Sequence, residues 1–119
     1  MKDFRNLKVW DLSHKIALAI YNITVTFPRE EMYGLISQIR RASISIPTNI
    51  SEGCGRGSGT DFRRFLQIAF GSACELEYLL LISYELKFLL KKDYDLIISQ
   101  LIETKKMLSG LIKKLNEKS

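Results

Sequence analysis

In this 119-residue chain the most conspicuous candidate for chemistry is IPTNISEGCGRGSGTDF, positions 46–62. Glycines at 53, 55, 57 and 59 would allow the backbone to curl around a phosphate. A Walker-type loop, however, needs G-x-x-x-x-G-K-[ST] after a strand, with a lysine to reach the terminal phosphates. No lysine follows any of these glycines, and the segment before them has helical spacing. The dinucleotide fingerprint G-x-G-x-x-G fails too, because its sixth position is Ser58 in one register and Thr60 in the other. The run therefore reads as a joint between helices whose glycines take left-handed torsions.

Nucleophile constellations are equally poor. A Ser or Cys nucleophile needs a base, and His14, the only histidine, falls four residues after Trp10 at a packing or surface position of a helix. Cys54 and Cys74 with one histidine are too few for a typical zinc site, and in a reducing compartment they read as free thiols. Glu75 lies within a broad apolar arc while Glu77 flanks it from the other side, so the two carboxylates do not share a face. Glu75 is expected to meet an arginine across an interface. These readings predict a protein that is not an enzyme and uses no cofactor or metal.

Arginine is the better lead. All seven arginines precede residue 65, and five of them, Arg40, Arg41, Arg56, Arg63 and Arg64, leave three net positive charges over 40–64 after Glu52 and Asp61. Guanidinium donors form a planar fork that matches phosphate oxygens. Arg40 and Arg41 project about 120–140° from their helix's apolar stripe at 100° per residue. Replacing both with alanine is therefore expected to leave stability almost unchanged. A kink at Pro47 would present them together with Arg56. Neither an RNA-binding motif nor an aromatic platform for bases is visible, so backbone contact with RNA or DNA is favoured over sequence reading.

Four helices must position these groups. Leu12, Ile16, Ala19, Ile23 and Phe27 step by three and four, which predicts a first helix over 7–27. Pro28 suits the first turn of a second, 29–53, whose stripe is Leu35, Ile39, Ala42, Ile46 and Ile50. Pro47 removes the bond to the Ser43 carbonyl, so a kink or early end is expected there. Ser58 or Thr60 can cap a third helix, 60–90, with core residues Phe62, Leu66, Ala69, Ala73, Leu76 and Leu80. Asp93 can cap a fourth, 93–117, along Tyr94, Ile97, Leu101, Thr104, Leu108, Leu111 and Leu115. Short turns between such helices make one all-α domain, 1–119, an up-down-up-down four-helix bundle.

The third helix's apolar arc spans roughly 200°, about twice the stripe that faces one core. Trp10, Ala17 and Tyr21 also lie opposite the first helix's stripe. Self-association is the economical reading. No apolar run approaches the ~18 residues that cross a bilayer, which predicts no membrane association. The charged N-terminus MKDFRNLKVWDLSHK lacks a signal peptide's apolar core, so a cytoplasmic location is expected. A net charge of +5 suits a polyanionic partner.

The ordered motifs FPREEMYGL with Gln38, Ile39 and Arg40, then SIPTNISEG, then FLQIAFGSACELE, resemble the bacterial four-helix-bundle proteins encoded by intervening sequences of 23S ribosomal RNA genes. The resemblance runs from Leu7 into the third helix and continues more weakly beyond. It implies a homopentameric ring and kinship with the accessory variability protein of diversity-generating retroelements, which binds nucleic acid and a reverse transcriptase. The family has no settled activity. Pro47, Asn49, Glu52, Gly53 and Gly55 then form the structural joint at the end of the second helix, with Asn49 and Glu52 tying it by capping bonds. Two partner classes stay open beside self-association: nucleic acid, and another protein held by a scaffold with no nucleic-acid contact.

Overall fold

The computed structural model describes residues 3–118 and contains four long helices. They are α1 (Lys8–Ile23), α2 (Ser37–Cys54), α3 (Gly59–Glu85) and α4 (Lys91–Lys118). No strand occurs among the described residues. The Asp3 carboxylate accepts from the Arg5 N–H at 3.0 Å and starts a short turn, Phe4–Asn6, that leads into α1.

The second helix begins later than position 29. Arg29–Glu31 forms a 3₁₀ turn and Met32–Ile36 a π turn, in which Gly34 adopts φ −116°, ψ −107°. The Glu31 carboxylate accepts from the Leu35 N–H at 3.3 Å and caps this irregular entry. Regular α-helix then runs from Ser37 through Pro47 to Cys54 without an early end. Pro47 is itself buried, beside the core residues Ile46 and Ser43, and tertiary packing carries the helix past the missing donor. A separate backbone break lies at Gly34, before the helix.

α3 ends at Glu85, and Lys87 takes φ 66° just beyond it. The Phe88 N–H donates to the Ser83 carbonyl and the Lys87 N–H to the Tyr84 carbonyl, both at 2.9 Å, which closes a Schellman motif. Phe88 then tilts against Phe27 with ring centroids 5.8 Å apart, so the turn is pinned to the core.

Each helix packs against two neighbours: α2 between α1 and α3, and α4 between α3 and α1. Cross-helix bonds give their directions. Arg40 reaches Thr24, Ser45 meets Ser72, Glu77 meets Lys105 and Arg63 meets Asn116. In each pair of neighbours later residues face earlier ones, so neighbours are antiparallel, in a body 46 × 23 × 20 Å across. The expected stripes of α2, α3 and α4 supply the core. On α1 the buried side chains are Val9, Ser13, Ile16, Ala17 and Ile20, a stripe rotated about 60° from the expected one. Ala17 is therefore core, and Trp10 is half-buried against Phe4 and His14.

The five buried polar residues among those described, Ser13, Thr24, Ser43, Ser83 and Thr104, all donate their hydroxyls to a carbonyl one turn back. The core thus holds no buried polar atom without a partner among these residues. α3 has the length and mean hydropathy, 1.5 over an 18-residue window, of a segment able to cross a membrane. Phe62, Leu66, Ala69, Ala73, Leu76 and Leu80 of this helix pack between α2 and α4, whereas Ile68 and Tyr78 are exposed.

Candidate functional site

The joint is built differently at each glycine. Gly53 belongs to the last turn of α2, where an added Cβ would lie 2.9 Å from Phe65 Cβ and 3.0 Å from Phe62 Cδ1. Gly55 is the helical C-cap, and Gly57 alone takes the left-handed torsion, φ 83°. Ser58 caps α3 by accepting from the Asp61 N–H at 3.1 Å. Glu52 ties the joint through Arg56, Nη2 to Oε2 at 2.9 Å. Asn49 does not reach it: its side-chain amide donates back to the Ser45 carbonyl at 2.8 Å and the Ser45 hydroxyl at 3.0 Å. Ser45 in turn meets the Ser72 hydroxyl of α3 at 2.8 Å. The Pro47 region therefore fastens α2 to α3, and the joint proper starts at Glu52.

The five arginines do not form one cluster. Arg40 and Arg41 stand near the start of α2, whereas Arg56 follows its end, a separation of roughly 22 Å along the axis. Arg40 is half-buried and occupied. Its Nε donates to the Thr24 hydroxyl at 2.8 Å, its Nη2 to the Tyr21 carbonyl at 3.5 Å, and its guanidinium lies 4.9 Å from the Tyr21 ring centre. This is a positive clamp on the C-terminal end of α1, where the helix dipole favours a cation. The expectation that Arg40 is dispensable for stability is thereby corrected. Arg41 is exposed and has no hydrogen bond or ion pair among the described residues.

Arg56, Arg63 and Arg64 do come together at the joint end. The guanidiniums of Arg56 and Arg64 lie 4.8 and 4.7 Å from the Phe65 ring centre, and Arg63 donates to Asn116 Oδ1 of α4 at 2.8 Å. Arg64 also stands 3.8 Å from the Asp61 carboxylate. Antiparallel packing brings the start of α1 and the end of α4 to this same end. Lys8, Lys113 and Lys114 thus join the arginines, and none of the three is in an ion pair among the described residues. The sequence reading missed these lysines. The up-down topology was the available signal, since it places the first turn, the second connection and the last turn side by side.

A cavity of about 450 Å³ opens at the joint between Gly53, Gly57, Ser58 and Leu115 of α4. No group of three His, Cys, Asp or Glu side chains gathers among the described residues. His14 stacks on Trp10 with centroids 4.8 Å apart. Cys54 is buried and Cys74 exposed, and neither is in a disulfide. Glu77 is engaged by Lys105, which donates to it at 2.7 Å and also lies 5.5 Å from the Phe70 ring centre. The hydrogen bond to Glu77 is the main reason that the Lys105 ammonium is held above its ordinary pKa. Glu75 is exposed and has no ion pair among the described residues.

A family model described as 23S rRNA-intervening sequence protein matches residues 5–110. No curated protein matches the chain. Among solved structures, a Bacteroides thetaiotaomicron protein of unknown function from the S23 ribosomal protein family superposes with a TM-score of 0.80. The two are 30% identical over 88% of this chain and 98% of the other.

Proposed function

This chain belongs to the 23S rRNA-intervening sequence protein family, and on that premise we propose that it is a non-enzymatic bundle that holds a nucleic-acid backbone at its joint end. The observation carrying this reading is the antiparallel packing, which brings Arg56, Arg63 and Arg64 and also Lys8, Lys113 and Lys114 to the same end of the bundle. Three helices contribute, so phosphates along a strand would be held in register by the fold rather than by one flexible loop. Guanidiniums seated on Phe65 lose less freedom on binding than free side chains would. Contacts of this kind read the backbone and not the bases. Affinity for RNA and DNA should fall steeply with salt. Changing Arg56 and Arg64 to alanine should weaken binding and flatten that slope, whereas Arg41→Ala should matter much less. No binding at low salt, or an unchanged slope in the double variant, would sink the reading.

A second reading, a self-associating or partner-binding scaffold, is favoured by the outer face of α2 and α3. Ile44 and Ile68 are 47% and 43% exposed there. The Ser45–Ser72 register sets Arg41 about level with Glu75, and Gly71, one turn before Glu75 on α3, faces open space. A second copy would cover the isoleucines and pair the two free charges. Five copies closing into a ring, as the family resemblance implies, would repeat the basic end around an axis and make weak phosphate contacts additive. Kinship with the retroelement accessory protein belongs to the same proposal. Light scattering separates the cases: a stable monomer at micromolar concentration removes the assembly, and a trimer or tetramer removes the five-membered ring.

A further inference from the structure

We propose that the groove between the start of α1 and the end of α4 docks an acidic amphipathic helix from a partner protein. This goes beyond nucleic-acid binding and stands without it. The groove has a volume of about 600 Å³. Its floor is aliphatic: Leu7 and Val9 from α1's side, Met107 and Leu111 from α4. Its rim is basic, with Lys8 on one wall and Lys106, Lys113 and Lys114 on the other, against Glu117 as the single acid in the lining. None of these lysines is in an ion pair among the described residues. An apolar floor under a cationic rim complements a helix with one apolar face and carboxylates beside it.

Spacing supports a helical occupant. Lys106 and Lys113 are seven residues, about 10.5 Å, apart on one face of α4, which is the spacing of acids at i and i+7 on a helix laid alongside. Gly110 lies between them. In the middle of an exposed helix glycine costs about 1 kcal/mol relative to alanine. Nothing in the chain requires it, because a Cβ there meets no atom within 4 Å. Its use is the close approach it allows from outside. The floor offers no aromatic ring on which a base could stack, which argues against single-stranded nucleic acid as the occupant.

The probe is a labelled peptide with leucine on one helical face and glutamate elsewhere, followed by fluorescence anisotropy against the full chain. Gly110→Trp fills the groove from an open position and should leave the thermal melt unchanged or higher. It should weaken peptide binding by at least about tenfold and RNA affinity by much less, because Arg56, Arg63 and Arg64 lie outside the groove. The pair Lys106→Glu and Lys113→Glu should lose the peptide and gain a version with lysine in place of glutamate. Failure of the wild-type chain to bind the peptide overturns the proposal, as does equal binding of a peptide whose leucines are replaced by glutamine. Undiminished binding by Gly110→Trp also overturns it. If Gly110→Trp weakens RNA binding as much as peptide binding, the proposal is overturned and the groove belongs to the nucleic-acid surface.

Discussion

Arg40 and Arg41 are neighbours in sequence and differ in everything that decides their value. Arg40→Ala removes a bond that joins two helices and a cation from the end of α1, so it should cost about 1 kcal/mol in a urea titration. Arg41→Ala should stay within about 0.5 kcal/mol, as exposed unpaired side chains do. Lys87 is strained in the other sense. A side chain at φ 66° costs about 1–2 kcal/mol, partly offset in glycine by the greater freedom of its unfolded chain. Lys87→Gly should therefore raise the unfolding midpoint by an amount equivalent to roughly 0.5–1 kcal/mol, since the Schellman bonds are unaffected. The Lys105–Glu77 pair adds a pH dependence. Lys105 has its pKa raised above 10.5 in the folded protein, so the folded state binds that proton more tightly than the unfolded chain does. The pair's contribution is then complete below pH 10.5 and lost as pH rises through the higher folded value. Stability of wild type and of Glu77→Gln should converge over that alkaline window.

At the scale of elements, three helical glycines carry opposite expectations. Gly53 lets the last turn of α2 touch the first turn of α3, and an alanine there would sit 2.9 Å from Phe65 Cβ. Gly53→Ala should destabilise by about 1–3 kcal/mol because Phe65 Cβ is fixed to the backbone and cannot swing away. Gly71 and Gly110 face open space, where alanine should stabilise by up to about 1 kcal/mol. If the α2–α3 face joins copies, Gly71→Ala will tighten the fold yet loosen the assembly. Thermal melts and light scattering on the same variant read the two effects separately. Pro47→Ala addresses α2 itself. The helix already runs through the proline, so a structure of the variant should show the same helix from Ser37 to Cys54.

For the whole molecule, the outer α2–α3 face and the joint end make separable predictions. Ile44→Glu with Ile68→Glu should turn an oligomer into monomers without lowering the melting temperature, since both side chains are nearly half exposed. Loss of assembly should also weaken nucleic-acid binding, because multivalency across copies disappears while each copy's arginines stay in place. A variant that stays assembled shows that this face is not the contact.

Periodicity was enough to read four helices and most of their buried stripes, because a 3.6-residue repeat of apolar side chains can only be satisfied by one covered face. The glycine joint was legible for the same local reason: no regular element tolerates four glycines in seven positions. Rotation of α1 was not legible. Leu12, Ala19 and Ile23 make as good a stripe as Val9, Ala17 and Ile20, and only the positions of α2 and α4 choose between them. The site divided likewise. Arginine content within 40–64 is a property of the chain, but which arginines meet depends on helix length and direction. A helix that continues through Pro47 carries Arg41 roughly 22 Å from Arg56. Antiparallel return of α4 brings in Lys113 and Lys114, far along the sequence from the joint. Local preference determines what a segment becomes, and the burial shared among segments decides which side chains end up together.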